Sequence, residues 1–315
     1  MKLKAVALAL VTLLFPPLLS SANDSAAEKP YLMGALGDSI LAGFLANTSL
    51  VTGLLLNAGF DDPKDYNKGF HPKDLLENKK NLSWFSGVLM PSHYVFLGHY
   101  LKRTEPGSSL EVINLAKFGA ETKEVVTQVD ALVDAMKTGR YKSLKYVALM
   151  AGVNDVCAAA NQGTNPDAQM TSNFATIYEK LASIKQDEPI HILNVGIGRL
   201  PDLGKPEIRK NKTFGGVSCG FWYDKVIDLC RQFTTWKTPA DYDQWMSHLT
   251  QKNAVIKQAA ETAAAKYSNL KIFYSNRPFE APVLPQIIAK DCFHPSTAGQ
   301  TAMSVSLWER QPWFK

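Results

Sequence analysis

Five short apolar runs, separated by segments with helical spacing, constrain the fold of this chain more than any other feature. The runs lie at residues 31–36, 111–115, 146–150, 190–195 and 270–274. Helical patterns occupy residues 93–101, 121–136, 172–184, 241–266 and 296–310. The run at 146–150 is nearly all apolar, as expected for a strand that is buried on both faces. The alternation of the five runs with helices predicts an α/β fold with a doubly wound parallel sheet.

The amino-terminal residues 1–22 have the three parts of a secretory signal peptide. Lys2 and Lys4 form its positive end, residues 5–19 its apolar middle, and small residues a cleavage site at Ala22. A membrane anchor is the alternative, but Pro16 and Pro17 cut the apolar run short of a spanning helix. We therefore predict export, to the periplasm or the medium.

The remaining residues 23–315 are predicted to form one domain with insertions at 43–110 and 199–240. A connection as long as the first insertion is usually functional. Its aromatic residues either line a site or form a satellite core beneath a long loop; they are Phe60, Tyr66, Phe70, Trp84 and Phe85. The second insertion has no clear periodicity, and we predict it to be irregular.

The first apolar run ends abruptly at Gly37-Asp38-Ser39-Ile40, which places a serine at the carboxyl end of a buried strand. Ligands of open α/β sheets bind at that end of the strands. Ser39 is therefore a candidate nucleophile, provided that the chain supplies a base, a residue that orients the base, and oxyanion donors. No Gly-x-Ser-x-Gly pattern surrounds Ser39, which excludes the nucleophile turn of the usual α/β-hydrolases.

Asp291 and His294 are a candidate pair of orienting acid and base. One turn of chain can bring the Asp291 carboxylate to the imidazole Nδ1, where it would fix the tautomer and the orientation of the ring. Pro295 disfavours helical dihedral angles at His294 and helps to hold it extended at the entrance of the last helix. We expect His294 to act as the base for Ser39.

Two candidate oxyanion donors follow the second and third predicted strands. Asn154 comes just after Gly152, and its side-chain amide is a neutral donor that can bind a developing oxyanion. Gly119 lies in a loop where a glycine lets its backbone N–H approach a ligand closely. Both residues also have structural explanations, because Asn and Gly commonly end strands and form loops.

The four cysteines suit two disulfides in an exported chain, and three pairings are possible. We favour Cys219 with Cys230, which are close in sequence, and Cys157 with Cys292, which belong to the segments of the candidate site. Zinc binding is the rival explanation. The lack of any Cys-x-x-Cys spacing disfavours it.

A disulfide between Cys219 and Cys230 would close a short loop with Phe221-Trp222-Tyr223 at its tip. Such a loop is either a structural staple or a lid whose aromatic rings cover the site or enter lipid. Both explanations stay open at the level of the sequence.

Charge and composition narrow the possible partners. The formal net charge is +5, and no basic block of the kind that binds nucleic acid is present. The densest basic segment, residues 205–212, is interrupted by acidic and apolar residues. We expect no nucleic-acid partner, and the mild positive charge is compatible with transient contact with an anionic membrane surface.

Together, the four segments resemble the four sequence blocks of the SGNH (GDSL) hydrolase superfamily. The blocks correspond to Gly37-Asp38-Ser39-Ile40, residues 114–120, Gly152-Val153-Asn154-Asp155 and Asp291-Cys292-Phe293-His294. The Asp-Cys-Phe-His block, together with Leu82-Ser83-Trp84, is similar to the phospholipase B-like group. This chain departs from the usual pattern at Ile40, where Leu is common, and at the bulky Lys117-Phe118.

The resemblance implies a three-layer α/β/α fold with a flavodoxin-like strand order and ester hydrolysis without a metal or another cofactor. It implies Ser39 as nucleophile, His294 as base and then acid, and Asp291 as orienter. The backbone N–H groups of Ser39 and Gly119 and the Asn154 amide would bind the oxyanion.

Three functions are compatible with the sequence. The favoured one is a secreted lipolytic esterase, a phospholipase A or lysophospholipase that could also transfer acyl groups. A short-chain or carbohydrate acetylesterase is the second. A binding protein that kept the fold and lost activity is the remote third, since every reactive position is filled.

Overall fold

A parallel sheet of five strands, in the order β2-β1-β3-β4-β5, lies at the centre of the protein. The computed structural model describes residues 28–44, 46, 82–213, 215–226 and 230–315. The strands are β1 (Tyr31–Gly37), β2 (Leu110–Asn114), β3 (Leu144–Met150), β4 (Ile190–Val195) and β5 (Leu270–Ser275). The five apolar runs are therefore strands, and the doubly wound, flavodoxin-like order is confirmed.

Eleven α-helices lie within the described residues. They are α1 (Ser39–Ala42), α2 (His93–Thr104), α3 (Thr122–Lys137), α4 (Val153–Gln162), α5 (Asp167–Ala182), α6 (Pro206–Arg209), α7 (Cys219–Lys225), α8 (Arg231–Thr234), α9 (Pro239–Lys266), α10 (Arg277–Glu280) and α11 (Thr297–Arg310). Short 3-10 turns occupy Leu200–Gly204 and Pro285–Ile287. The five predicted helices are all present.

Two apolar clusters cover the two faces of the sheet. On one face, Val125 of α3, Phe174 of α5 and Ile256 of α9 belong to the same buried cluster. On the other, Leu97 of α2 and Leu307 of α11 belong to a second cluster. Neighbouring residues of each strand alternate between the clusters because side chains of a strand point to opposite faces. This arrangement confirms the three-layer α/β/α fold.

Helix α5 begins at Asp167, earlier than the apolar spacing predicted at Ser172. The added turn is held by tertiary contacts, because Met170 is fully buried and the Asp167 carboxylate binds Lys252 Nζ at 2.5 Å. A partner from the distant helix α9 is not visible in the local spacing.

The two predicted insertions have different outcomes. Within the second, the prediction of irregular structure is wrong, because α6, α7 and α8 and a 3-10 turn occupy it. Within the first, Trp84 and Phe85 are fully buried in the second cluster, so these two residues belong to the main core on one face of the sheet and not to a separate satellite core. Phe60, Tyr66 and Phe70 lie outside the described residues, as does the predicted signal peptide.

The predicted disulfide pairing is wrong. The structure joins Cys157 to Cys230 and Cys219 to Cys292. Helix α7 starts at Cys219 and, at a rise of about 1.5 Å per residue, places its last residue, Lys225, roughly 9 Å from Cys219 along the helix axis. Bonded cysteines need Cα atoms within about 7 Å of each other, so the two nearest cysteines in the sequence are not the nearest in space.

Candidate active site

Ser39 is the first residue of α1, directly beyond the carboxyl end of β1. Asp38 caps this short helix, with its Oδ1 accepting a hydrogen bond from the Ile40 N–H at 2.9 Å. The strand must end in a glycine here, because a Cβ on Gly37 would lie 2.0 Å from the backbone oxygen of Met150 in β3. Close contact between two strands thus fixes the backbone that leads to Ser39.

Ser39, His294 and Asp291 form a continuous hydrogen-bonded array. The Ser39 Oγ lies 2.8 Å from His294 Nε2, and His294 Nδ1 lies 2.5 Å from Asp291 Oδ2. A carboxylate only accepts, so Nδ1 carries the ring hydrogen and Nε2 is free to accept from the serine hydroxyl. All three residues are buried. The arrangement can remove a proton from Ser39.

A tight turn holds the imidazole in this position. The other carboxylate oxygen of Asp291 accepts hydrogen bonds from the backbone N–H groups of Phe293 and His294, both at 3.1 Å. The His294 carbonyl accepts from the Ala289 N–H at 2.8 Å, and Pro295 forms a bridge with Ile288. Asp291 therefore fixes both the ring and the backbone of the histidine.

The two candidate oxyanion donors come from adjacent segments. The Asn154 Nδ2 donates one hydrogen bond to the Ala120 carbonyl at 2.9 Å, and an amide nitrogen has a second hydrogen for a ligand. Gly119 is exposed, has φ +72°, and has no atom within 4 Å of a Cβ position. Its loop is joined to the segment that carries Ser39 by a hydrogen bond from the Lys117 N–H to the Gly37 carbonyl at 3.0 Å.

Two buried carboxyl groups lie next to these residues. Burial raises the pKa of Asp38 to about 7, against the lowering effects of the Ile40 N–H and of His294. Burial also raises the pKa of Asp155, which accepts hydrogen bonds from Thr122 N at 2.9 Å and from Thr122 Oγ1 at 2.6 Å. Asp155 thereby joins the helix that bears Asn154 to the helix after Gly119.

Three buried polar side chains form hydrogen bonds with the backbone of residues 37–41, the segment that carries Ser39. Gln128 of α3 pairs with Gly37, accepting from its N–H at 2.7 Å and donating to its carbonyl at 2.9 Å. On the other side, Gln300 donates to the Ile40 carbonyl at 3.0 Å, and Ser83 donates to the Leu41 carbonyl at 2.7 Å.

None of these three side chains was predicted from the sequence, although the sequence contains one indication of the role of Gln128. Gln128 falls at helical spacing among Val125, Val129 and Leu132, which are all buried on the core face of α3. A polar residue on such a face needs a buried partner. The partner itself, a backbone peptide of another segment, leaves no trace in the sequence.

Three phenylalanine rings surround the His294 imidazole. The ring centroids of Phe44, Phe293 and Phe118 lie 5.0, 5.2 and 6.1 Å from the centroid of the imidazole. Phe44 and Phe118 also contact each other, with their centroids 4.5 Å apart. The aromatic residues next to the site are thus different from Trp84 and Phe85, which lie in the core.

Both disulfides attach the second insertion to elements that carry site residues. Cys157 lies on α4, one turn after Asn154, and Cys292 lies between Asp291 and His294. The Tyr223 hydroxyl also donates a hydrogen bond to the Cys292 carbonyl. The predicted loop closed by Cys219 and Cys230 does not exist, so a lid of that construction is excluded.

All four cysteines are consumed by the two disulfides, which leaves none for zinc. Across the described ranges, no cluster of three or more His, Cys, Asp or Glu residues could hold a metal ion. Within the same ranges, no helix is both long and apolar enough to span a bilayer.

Several solved structures are similar to this chain. The crystal structure of TesA is 15% identical, with a TM-score of 0.43 and coverage of 88% of this chain and 96% of its own. LAE5, an alpha/beta hydrolase from the metagenome of Lake Arreo, Spain, is 14% identical, with a TM-score of 0.46 and coverage of 90% and 95%. Axe2, an acetylxylan esterase from Geobacillus stearothermophilus, is 13% identical, with a TM-score of 0.46 and coverage of 92% and 98%.

No curated protein matches the sequence. The family model for GDSL-like Lipase/Acylhydrolase matches residues 33–306, which is most of the chain. This protein belongs to the GDSL-like lipase/acylhydrolase family.

Proposed function

We propose that this protein is an exported serine esterase that releases fatty acid from phospholipids or lysophospholipids through an acyl-enzyme. The observation that carries the proposal is the buried array of Ser39 Oγ, His294 and Asp291, with contacts of 2.8 and 2.5 Å. A serine becomes a nucleophile when a base within hydrogen-bond reach is itself oriented by a third group.

The first half of the reaction forms the acyl-enzyme. Ser39 Oγ attacks the ester carbonyl while His294 Nε2 takes the hydroxyl proton, and Asp291 stabilises the imidazolium that results. The oxygen of the tetrahedral intermediate is bound by the backbone N–H groups of Ser39 and Gly119 and by the free hydrogen of the Asn154 amide. His294 then gives its proton to the departing alcohol.

The second half releases the acyl group. Water, activated by His294, attacks the acyl-enzyme, and the proton returns to Ser39 as the carboxylic acid leaves. Another alcohol that reaches the acyl-enzyme would accept the acyl group in the same way, so acyl transfer uses no additional residue.

Support for a lipid substrate comes from the apolar surroundings of the site. Phe118 is 56% exposed and Phe44 contacts it, so apolar surface faces the solvent beside His294. Leu82-Ser83-Trp84 and the Asp-Cys-Phe-His block are similar to the phospholipase B-like group.

Support for export comes from the two disulfides, which are typical of proteins outside the cytosol, and from the signal-like residues 1–22. Fractionation of cells that produce the whole chain, with mass spectrometry of the mature amino terminus, tests this part. Recovery of the uncleaved chain from the cytosol would contradict it.

A lipid panel tests the substrate. The purified enzyme is incubated with diacyl and lysophospholipids of several head groups, with acetylated xylan and with simple acetate esters, and the released acids are measured by mass spectrometry. Long-chain fatty acid should be released, and Ser39→Ala should lower the rate by roughly 10⁴-fold or more. Release of acetate alone would instead identify an acetylesterase. Failure of Ser39 to react with a fluorophosphonate probe would contradict the serine mechanism.

A further inference from the structure

We infer that Phe44 and Phe118 form an aromatic wall against which the acyl chain of the substrate lies, and that this wall sets the preference for chain length. The inference rests on the proposed esterase function and adds two specificity residues to it. The term aromatic wall is used below for these two side chains alone.

The two rings connect the segments that carry the nucleophile and the oxyanion donor. Phe44 follows α1, and its backbone N–H donates a hydrogen bond to the Ser39 carbonyl at 3.0 Å. Phe118 directly precedes Gly119 in the loop after β2. The ring centroids lie 4.5 Å apart, so the two rings contact each other and join the two segments next to His294.

Both the acyl chain and the alcohol are bonded to the carbonyl carbon that Ser39 Oγ attacks, and the oxygen of that carbon points to the N–H of Gly119, the residue after Phe118. Both groups therefore begin near the aromatic wall. We assign the acyl chain to the wall because it stays bonded to Ser39 through both halves of the reaction, whereas the alcohol leaves after the first. Phe118 leaves 56% of its surface in water, and an apolar chain that covered it would gain hydrophobic contact.

Phe293 does not belong to the wall, although it also contacts His294. Its side chain packs against the cluster beneath the sheet, whereas Phe118 is exposed. Phe293 is therefore partly buried and offers less surface to a substrate than Phe118 does.

The test measures kcat/KM on p-nitrophenyl acetate, butyrate and octanoate, all below the concentrations at which they aggregate. In Phe118→Ala, the value for octanoate should fall by about 10-fold, while that for acetate should change by less than about 3-fold. Phe118→Leu should lie between the wild type and Phe118→Ala, and Phe44→Ala should resemble Phe118→Ala. Leu89→Ala is the matched control, because Leu89 is also 56% exposed.

A second series of esters keeps the acetyl group constant and varies the length of the alcohol. It shows whether the acyl chain or the alcohol of the substrate lies against the aromatic wall. A loss in Phe118→Ala that follows the length of the alcohol and not of the acyl chain would overturn the assignment. An unchanged ratio of octanoate to acetate rates in both Phe118→Ala and Phe44→Ala would overturn it as well. Ser39→Ala tests the esterase itself, so an active wild type with an unchanged ratio would reject the wall and keep the proposed function.

Discussion

His93 allows a stability prediction whose size can be calculated. It is fully buried at the start of α2, with Nε2 3.0 Å from the Ser304 carbonyl and Nδ1 2.9 Å from the Tyr146 hydroxyl. A carbonyl only accepts, so Nε2 carries the hydrogen of a neutral ring and Nδ1 accepts from the tyrosine. Burial lowers the pKa of His93 from 6.5 to about 3.

The direction of the pH effect follows from this shift. Between about pH 6.5 and pH 3 the unfolded chain binds a proton at His93 and the folded chain does not, so stability is lost as the pH falls through that window. At about 1.36 kcal/mol per pH unit, the loss at pH 5 is about 2 kcal/mol, and at pH 7 it is close to zero.

Asp38 acts in the opposite direction and would mask this loss in the wild type. Its folded pKa of about 7 lies above the ordinary value of 3.8, so the folded chain takes up a proton as the pH falls and gains stability. From pH 7 to pH 5 that gain is also about 2 kcal/mol. The contributions of His93 and Asp38 therefore nearly cancel in a pH curve of the wild type.

Comparison with His93→Gln isolates the histidine, because the contribution of Asp38 is the same in both proteins. Free energies of unfolding are measured in urea by tryptophan fluorescence at pH 7, 6 and 5, with the disulfides intact. The stability advantage of the wild type over His93→Gln should shrink by about 2 kcal/mol from pH 7 to pH 5. His99→Gln, an exposed position on the same helix, controls for the loss of a histidine as such. An advantage that stays constant with pH would refute the reasoning.

Three further predictions concern the site. Ser39→Ala and His294→Ala should each lower kcat by roughly 10⁴–10⁶-fold, and the double variant should be little worse because the two residues act as a unit; additive losses would contradict this. Asn154→Ala should lower kcat by about 10²–10³-fold with little change in KM, as for the loss of one oxyanion donor, and an effect on KM alone would make it a binding residue. Gln128→Leu leaves the buried Gly37 N–H without its partner and should cost about 1–3 kcal/mol in urea unfolding, together with a fall in kcat at constant KM. Gln128→Glu, whose protonated carboxyl can both donate and accept, should partly restore the free energy of unfolding at acid pH, and an unchanged kcat in Gln128→Leu would leave Gln128 a purely structural residue.

The sheet was predictable because its signal is local. A strand buried on both faces is apolar at most positions, and the run at residues 146–150 within β3 shows this directly in the sequence. The strand order followed from the resemblance to a known superfamily. The start of α5 was not predictable, because it depends on the ion pair between Asp167 and Lys252 of the distant helix α9.

The candidate site was predictable to the extent that its residues follow strand ends. The three-residue spacing between Asp291 and His294 predicted that their side chains would be in contact. The expectation that all four segments meet at one edge of the sheet predicted that His294 would lie next to Ser39. Their catalytic roles stay predictions until the variants are measured. Phe118 and Gln128 escaped prediction because their significance depends on a ring or a peptide in another segment.

Pairing the cysteines by closeness in the sequence gave the wrong disulfides, and the actual disulfides assign a different structural role to the second insertion. A disulfide between Cys219 and Cys230 would have closed only a short loop and left the insertion independent of the site. Each actual disulfide spans 73 residues, which in the chain-entropy model corresponds to about 4 kcal/mol, against about 3 kcal/mol for the short loop. More important is where the bonds end, because one holds the helix that bears Asn154 and the other holds the turn between Asp291 and His294. The insertion is therefore part of the scaffold that keeps Asn154 and His294 in place.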